Sequence, residues 1–383
     1  MLNLKFYYFH GKSYGYKEWY KPFCVKRSVG NKGKCPFCEC KEERIETFDN
    51  YFLIRNGLIL IKDSIFILHE GINLIVQNDE YFISVNGEFI KLAEIEKTRL
   101  KKLYKSKSIK PYGYDKEDHT GYAIYFNKNE FNTQSVSKRN NLLEMKYPIL
   151  SKYLKQYEKQ LREILINAKE NPANFYFPRR GSFINKLGEN HKEELLDLEP
   201  LYDQSEKIFF KFISNENIFG YSNTSYYATS DTYFLWPRFS SKKIDYLFIL
   251  AYLNSKIINF LFKVKNLSIK RSKTKLEQGL PIPILKSFHS ENEKLIIGVI
   301  KALTFCLVKF NELDYGIITE DLREKLTQVK DNLSILNEKL ISKFYLALEK
   351  KDRNIIQFLI NKLFFQLFSI DEDKIELLIK KFY

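Results

Sequence analysis

Four cysteines lie close together near the start of the chain, and residues of this type and spacing could bind a metal ion. They occur in the stretch CVKRSVGNKGKCPFCEC, at Cys24, Cys35, Cys38 and Cys40. Zinc takes four thiolate or imidazole ligands in a tetrahedral arrangement, and Cys-Pro-Phe-Cys supplies two thiolates at a common spacing. The fourth ligand would be Cys40 or, from upstream, His10. The pattern predicts a structural zinc site, with reduced cysteines in a basic loop as the alternative.

Two kinds of catalytic motif that act on DNA are absent from the sequence. Amino-group DNA methyltransferases use an Asn/Asp/Ser-Pro-Pro-Tyr/Phe loop, whose ring stacks on the flipped base. The nearest string, residues 171–174, lacks the second proline and the aromatic residue. A glycine-rich cofactor loop after a strand is not found either. A metal-dependent nuclease needs carboxylates and a Glu-x-Lys string. The stretch Glu94-Ile95-Glu96-Lys97 does not contain that string, and we interpret it as a helical charge run. We therefore expect no catalytic residues and, apart from zinc, no cofactor on this chain.

The chain as a whole is basic. Its 62 Lys and Arg residues exceed its 47 Asp and Glu residues, and the formal net charge is +15. A basic surface favours a polyanion such as nucleic acid as the partner, with the codon usage of a low-GC genome as the alternative explanation. The longest apolar run in residues 245–263 is too short for a membrane span, and the start does not resemble a signal peptide. We expect a cytoplasmic protein with no membrane partner.

The hydrophobic patterns predict an α+β fold with four regions. These are a cysteine-containing basic segment, a β-rich region, a mixed α/β region and a helical region, at residues 1–48, 49–135, 136–285 and 286–383. The strands of the second region include YFLIRNGLILI, DSIFILH and EYFISVNGEFIKL. Asn86-Gly87 predicts a hairpin turn, and Asn56-Gly57 predicts a hairpin turn or a bulge.

Four stretches predict helices. Apolar residues recur at steps of three and four in residues 147–170, which predicts one amphipathic helix. DYLFILAYLNSKIINFLFK, residues 245–263, predicts an amphipathic or buried helix. A heptad seam implies an antiparallel helix within the chain or a coiled-coil partner outside it, and its residues are Leu322, Leu326, Val329, Leu333, Leu336 and Leu340. Ser369 begins a capping box for a final helix.

Taken in order, several of these stretches resemble the TaqI-like C-terminal specificity domain of adenine-specific DNA methyltransferases, type IIG restriction-modification enzymes and related phage-defence methylases. YPILSKYLKQYEKQLREI is similar to a helix of the family, with Arg162 at its arginine. EKIFFKFISNENIFGYSNTSYYATSDTYFL resembles its strands, and residues 245–263 resemble the segment with its LNS signature, here Asn254, Ser255 and Lys256. GLPIPIL, INKLFFQLFSIDEDKIELLIKKF and, near residue 50, IRNGLILIKDSIFIL extend the resemblance. It assigns residues 136–285 to the specificity domain.

The resemblance implies a sequence-specific DNA target recognition module that binds double-stranded DNA and is not catalytic by itself. A methyltransferase domain on a neighbouring chain, with or without a nuclease domain, would bind S-adenosylmethionine and modify the target adenine. Two alternatives remain: an adenine-specific methyltransferase or restriction enzyme with unrecognised catalytic motifs, and an inactive remnant of a split gene. Binding of S-adenosylmethionine to this chain would distinguish the enzyme from the module.

Basic residues in loops beside predicted strands and helix ends are the predicted contacts to DNA phosphates. They are Lys105, Lys107, Lys110, Arg179, Arg180, Lys270, Arg271, Lys273 and Lys275. Tyr112, Tyr226 and Tyr227 are candidates for contacts to bases or sugars, with a role in the core as the alternative for each. Arg238 follows Trp236-Pro237 and would read a guanine or cap a loop.

Overall fold

A computed structural model of the protein describes much of the chain between residues 45 and 368. The described residues are 45–48, 51–131, 135–179, 198–203, 205–214, 217–237, 244–264, 273, 276–277, 280–283, 285, 290–310, 342, 345–347, 349–350 and 352–368. The predicted zinc ligands, the heptad seam and the capping box at Ser369 lie outside the described residues.

Strands are concentrated in the first and middle parts of the described chain, and the longest helices come last. Strands β1 to β15 are Ile45–Thr47, Phe52–Asn56, Ile67–Leu68, Leu74–Gln77, Glu80–Val85, Glu88–Lys91, Leu100–Tyr104, Ile109–Lys110, Gly113–Tyr114, His119–Ile124, Lys207–Lys211, Phe219–Ser222, Tyr227–Ala228, Thr232–Pro237 and Pro281–Pro283. Helices α1 to α10 are Asp63–Phe66, Glu94–Lys97, Val136–Lys146, Pro148–Lys155, Glu158–Asn167, Leu198–Asp203, Tyr246–Leu253, Lys256–Val264, Glu291–Lys309 and Arg353–Leu367. The predicted α+β fold is confirmed.

A four-stranded antiparallel sheet, which we call the central sheet, separates two hydrophobic cores. Its strand order is β12-β11-β14-β2, so β2, near the start of the described chain, pairs with β14, which comes far later in the sequence. Side chains alternate across a strand. In β11, Ile208 and Phe210 therefore belong to one core and Phe209 to the other, and all three are buried. The central sheet is thus covered on both faces.

The first core lies between the central sheet and four helices, α7 to α10. Phe248 of α7, Ile300 of α9 and Phe364 of α10 are fully buried in it. Residues 248–253 of α7 are all buried, because the helix packs on the sheet and also on α9. The first part of the stretch predicted as an amphipathic or buried helix is therefore a buried helix.

The second core lies on the opposite face of the central sheet. It is closed by a sheet of order β13-β7-β10-β3, by the meander β4-β5-β6 and by helices α3 to α5. Strand β13 pairs in parallel with β7, with Tyr227 opposite Leu103. Both this sheet and the central sheet combine strands from residues 49–135 with strands from residues 136–285. The two predicted regions therefore share their sheets and their cores.

The two Asn-Gly pairs have different structures. Asn86 and Gly87 connect β5 to β6 with φ angles of 53° and 88°, as a two-residue hairpin of type I′ requires. The predicted hairpin is confirmed. At Asn56-Gly57 strand β2 ends, and the backbone N of Gly57 donates to the carbonyl of Thr232 at 2.9 Å. Asn56-Gly57 therefore ends a strand that pairs with the distant strand β14, and it does not form a local hairpin turn.

Three predicted elements differ in the structure. Residues 147–170 form two helices, α4 and α5, which are separated at Gln156-Tyr157. Residues 245–263 likewise divide into α7 and α8 at Asn254-Ser255. DSIFILH, predicted as a strand, begins with α1, and only β3 at its end is extended. The spacing of apolar residues does not reveal where a predicted helix is interrupted, because both halves of each divided helix keep their apolar residues facing the core.

Candidate nucleic-acid interface

Three of the predicted phosphate contacts lie in one exposed segment. We call residues 105–114 the basic hairpin; it contains a turn of 3₁₀ helix and the short paired strands β8 and β9. Lys105, Lys107 and Lys110 are all exposed, and no acidic residue occurs within the hairpin. The structure therefore brings together three lysines that the sequence singled out.

Acidic residues follow the hairpin directly. Asp115, Glu117 and Asp118 lie between it and β10, and the ammonium of Lys107 forms an ion pair with the carboxylate of Asp118. The side chain of Lys107 is 65% exposed, and ion pairs this exposed contribute about 0–1 kcal/mol. Asp118 therefore restrains the ammonium of Lys107 only weakly.

The base of the hairpin is held by Asp231, which lies between β13 and β14. Its Oδ2 accepts a 3.0 Å hydrogen bond from the backbone N of Ser106, and its Oδ1 accepts one from the hydroxyl of Thr229. The backbone N of Thr229 in turn donates to the carbonyl of Tyr104 at 3.0 Å. These bonds attach the start of the hairpin to the strand pair β7-β13.

Tyr112, in the turn of the hairpin, points into the first core. Its φ angle is +64°, in the left-handed region that is uncommon for residues other than glycine, and it is 2% exposed. Its backbone N donates to the carbonyl of Phe219 at 3.0 Å, and its hydroxyl donates to Oε1 of Gln357 at 2.6 Å. Burial raises the pKa of this phenol far above its usual value, so it stays a proton donor. In this conformation Tyr112 has the core role and is not accessible to a base or a sugar.

Tyr226 and Tyr227 are also fully buried, in the second core. The ring of Tyr226 stacks on that of Phe209, with 3.9 Å between the centroids. Tyr227 stacks on Tyr202 at 4.7 Å, and the ammonium of Lys101 lies 5.3 Å from the centroid of the Tyr227 ring. Both tyrosines therefore have the core role that the sequence left as the alternative.

Two further predicted contacts are half-buried, and each has a partner within the chain. Arg179 donates from Nε to Oε1 of Glu170 at 2.8 Å. The ammonium of Lys273 lies 5.3 Å from the centroid of the Tyr233 ring. Burial lowers the pKa of Lys273, and the nearby charge of Arg55 lowers it further.

The other predicted site residues lie outside the described part of the chain. They are Arg180, Arg238, Lys270, Arg271 and Lys275, together with Cys24, Cys35, Cys38 and Cys40. Among the residues that the structure does describe, no group of three or more His, Cys, Asp and Glu side chains could hold a metal ion. None of the described helices is both long and apolar enough to cross a membrane.

Sequence reasoning assigned no role to several polar residues that organise the hairpin. Asn254 accepts at Oδ1 from the backbone N of Phe219 and donates from Nδ2 to the carbonyl of Phe219, both at 3.0 Å. Its side chain thus pairs with β12 as a neighbouring strand would. The resemblance to the LNS signature was the one sequence signal for Asn254. Gln357 and Asp231 bind the hairpin directly, whereas Asn254 binds Phe219, and the sequence contains no local signal for Gln357 or Asp231.

The structure defines an α+β protein in which an exposed lysine-bearing hairpin lies at the edge of a sheet. Residues 101–284 match the sequence profile of the TaqI-like C-terminal specificity domain. The match includes the basic hairpin, β11 to β14 and the LNS segment. It confirms the resemblance inferred from the sequence.

Solved structures of restriction enzymes are similar to this chain. The type IIL restriction-modification enzyme MmeI, in complex with DNA, aligns with a TM-score of 0.39 and 10% identity, over 84% of this chain and 33% of that chain. The type IIG restriction endonuclease BpuSI aligns with a TM-score of 0.35 and 10% identity, over 84% of this chain and 31% of that chain. This chain spans about a third of the length of either enzyme. No curated protein matches it.

Proposed function

We propose that this chain is the sequence-specific DNA target recognition module of a type IIG-like restriction-modification or phage-defence adenine methyltransferase system, and that it is not catalytic by itself. The observation that carries the proposal is the TaqI-like specificity domain at residues 101–284, which contains the basic hairpin. The proposed partners are double-stranded DNA and a methyltransferase domain, with or without a nuclease domain, on a neighbouring chain. That partner would bind S-adenosylmethionine, and the system would act in the cytoplasm.

Affinity in this proposal comes from the lysines. Lys105, Lys107 and Lys110 would contact phosphates, and each neutralised phosphate releases counterions, so binding weakens steeply as salt rises. Contacts to base edges would supply specificity of about 1–3 kcal/mol per base pair. Arg180, Arg238, Lys270, Arg271 and Lys275 remain proposed contacts for either task.

The test is duplex binding by the full chain. Fluorescence anisotropy would be measured with a pool of random duplexes at two salt concentrations, with and without the neighbouring methylase. Replacing the three hairpin lysines with alanine should reduce the slope of log Kd against log salt by about 0.9 for each phosphate that is no longer neutralised. The matched control replaces three exposed lysines elsewhere, Lys138, Lys152 and Lys159. Equal slopes for the two triple variants, or no salt dependence in the unmodified chain, would contradict the proposal.

A second measurement separates the module from an enzyme. Titration calorimetry with S-adenosylmethionine should give no heat of binding with this chain alone, and a signal when the methylase is added. Saturable binding to the isolated chain would support the alternative of a methyltransferase with unrecognised motifs.

A further inference from the structure

We propose that Tyr112, Gln357 and Asn254 are positioning residues that fix the basic hairpin against the edge of the central sheet. The inference rests on the proposed function because it takes the hairpin as the element that contacts DNA. Its first test, however, needs no DNA. Three sets of contacts support it.

The first contact set is at the edge strand. β12 is an outer strand of the central sheet, and the free peptide groups of an edge strand need partners. The carbonyl of Phe219, at the start of β12, accepts from the backbone N of Tyr112 and from Nδ2 of Asn254, each at 3.0 Å. The backbone N of Phe219 donates to Oδ1 of Asn254. The hairpin and the LNS segment therefore meet at one residue of the sheet.

The second contact is a close approach of two backbones. A Cβ atom added at Gly220, the next residue of β12, would lie 2.6 Å from the carbonyl oxygen of Gly113 and 2.4 Å from the ring of Phe209. Neither distance is possible without displacement of a neighbour. Glycine at position 220 is therefore what allows the hairpin to lie this close to the sheet.

The third contact set joins the hairpin to the helical layer. The hydroxyl of Tyr112 donates to Oε1 of Gln357 at 2.6 Å, and Nε2 of Gln357 donates to Oδ1 of Asn361 at 3.4 Å. The same Oδ1 accepts from the backbone N of Lys256, the first residue of α8, at 2.9 Å. Asn361 is 5% exposed, and a polar side chain this buried needs its partners. A continuous set of hydrogen bonds thus runs from the hairpin through α10 to the LNS segment.

These contacts explain how Tyr112 keeps an unfavourable backbone conformation. A non-glycine residue in the left-handed region persists only where its surroundings hold it there. Lys110 lies two residues before Tyr112, so a loosened Tyr112 would let the hairpin lysines sample several orientations. Phosphates are spaced regularly along DNA, and lysines held in one orientation lose less entropy on binding them.

The first test is hydrogen–deuterium exchange of the full chain without DNA. In Tyr112→Phe we expect the amides of residues 106–115 to exchange about tenfold faster than in the unmodified chain. The control is Tyr153→Phe, which removes an equivalent buried bond, from the hydroxyl of Tyr153 to the carbonyl of Ile65 at 3.0 Å, in the other core. Equal exchange of the hairpin in both variants would overturn the inference.

A second variant distinguishes a local effect on the hairpin from a general loss of stability. Gln357→Leu removes the acceptor from α10 and leaves the hairpin sequence unchanged, so it should raise hairpin exchange as Tyr112→Phe does. If exchange in Gln357→Leu rises evenly across the chain, the bond has a merely structural role and the inference is wrong.

The second test uses DNA and a double-mutant cycle. If Tyr112 acts by orienting Lys110, then Tyr112→Phe should weaken duplex binding severalfold in the unmodified background and hardly at all once Lys110→Ala is present. If the double variant loses affinity by the product of the two single losses, Tyr112 and Lys110 act independently, and Tyr112 does not position Lys110. If the unmodified chain binds no duplex, the proposed function fails, and the exchange experiment still decides whether these residues fix the hairpin.

Discussion

The buried carboxylate of Glu96 caps helix α4 through the backbone of Leu150. Its Oε1 accepts from the N of Leu150 at 2.9 Å and from the N of Ile149 at 2.7 Å. Pro148 begins the helix and has no N–H, so these are the first two donors of α4 that need a partner. The stretch Glu94–Lys97 does lie in a short helix, α2, as expected for a helical charge run. Glu96 itself, however, is fully buried.

Removing this cap should destabilise the protein strongly. We expect Glu96→Ala to lower the free energy of unfolding by about 3 kcal/mol, because two buried N–H groups lose their acceptor. Glu96→Gln keeps an acceptor oxygen and should cost about half as much. Urea denaturation followed by circular dichroism measures both. Glu94→Ala, at an exposed position of the same helix, is the control and should change the value by less than about 0.5 kcal/mol. Similar losses at the two positions would refute the capping role.

A cluster of charges ties α6 to β7. Oε1 of Glu199 lies 3.0 Å from Nη2 of Arg99 and 3.1 Å from Nζ of Lys101, and these side chains are mostly buried. Glu199→Gln would remove one of the two counter-charges of Arg99 and of Lys101, which keep Glu130 and Asp203, so we expect the free energy of unfolding to fall by about 2 kcal/mol. The exposed pair of Glu291 with Lys294 provides the comparison, and Glu291→Gln should cost less than about 1 kcal/mol. Thermal unfolding of both variants checks this, and equal costs would contradict it.

Lys207 should make stability depend on pH. It is fully buried in β11, and its ammonium donates to the carbonyl of Thr224 at 2.6 Å. Burial lowers the pKa of Lys207 to about 8, although Asp203 nearby acts in the opposite direction. An unfolded lysine has a pKa of about 10.4, so between these values the unfolded state binds more protons, and stability rises with pH.

The measurement compares the pH dependence of two variants. Relative to Lys207→Met, the unmodified protein should gain about 1 kcal/mol of unfolding free energy per pH unit between pH 8 and pH 10. Lys211→Met, at the other end of β11, is the control for the loss of a lysine from this strand. Parallel stability curves for the unmodified protein and Lys207→Met over this range would show that burial does not perturb Lys207.

The cysteine cluster leads to a prediction about metal content. If Cys24, Cys35, Cys38 and Cys40 bind zinc, the purified full chain should carry about one zinc ion, measured by plasma mass spectrometry. Cys38→Ser should lose it, whereas Cys306→Ser, which alters a buried cysteine of α9, should retain it. If the chain is prepared in the presence of zinc and still contains no zinc, the four residues are reduced cysteines and not metal ligands.

Local patterns predicted those features that depend on neighbouring residues. The hairpin at Asn86-Gly87 follows from two residues that tolerate positive φ angles, and the buried helix at residues 246–253 follows from its composition. The helix break at Asn254 was not predicted, because it depends on hydrogen bonds between Asn254 and Phe219, which lies on strand β12. Gln357 could not be found as a partner of Tyr112, since 245 residues separate them.

The sequence by itself determined the α+β class, the basic character of the chain and the likeness to the specificity domain, because composition and short ordered motifs carry that information. Only the tertiary structure decided that Lys105, Lys107 and Lys110 share an exposed hairpin while Tyr112 turns inward beside them. The physical reason is that exposure and hydrogen bonding depend on which distant segments pack together, and adjacent residues in one turn can face opposite environments.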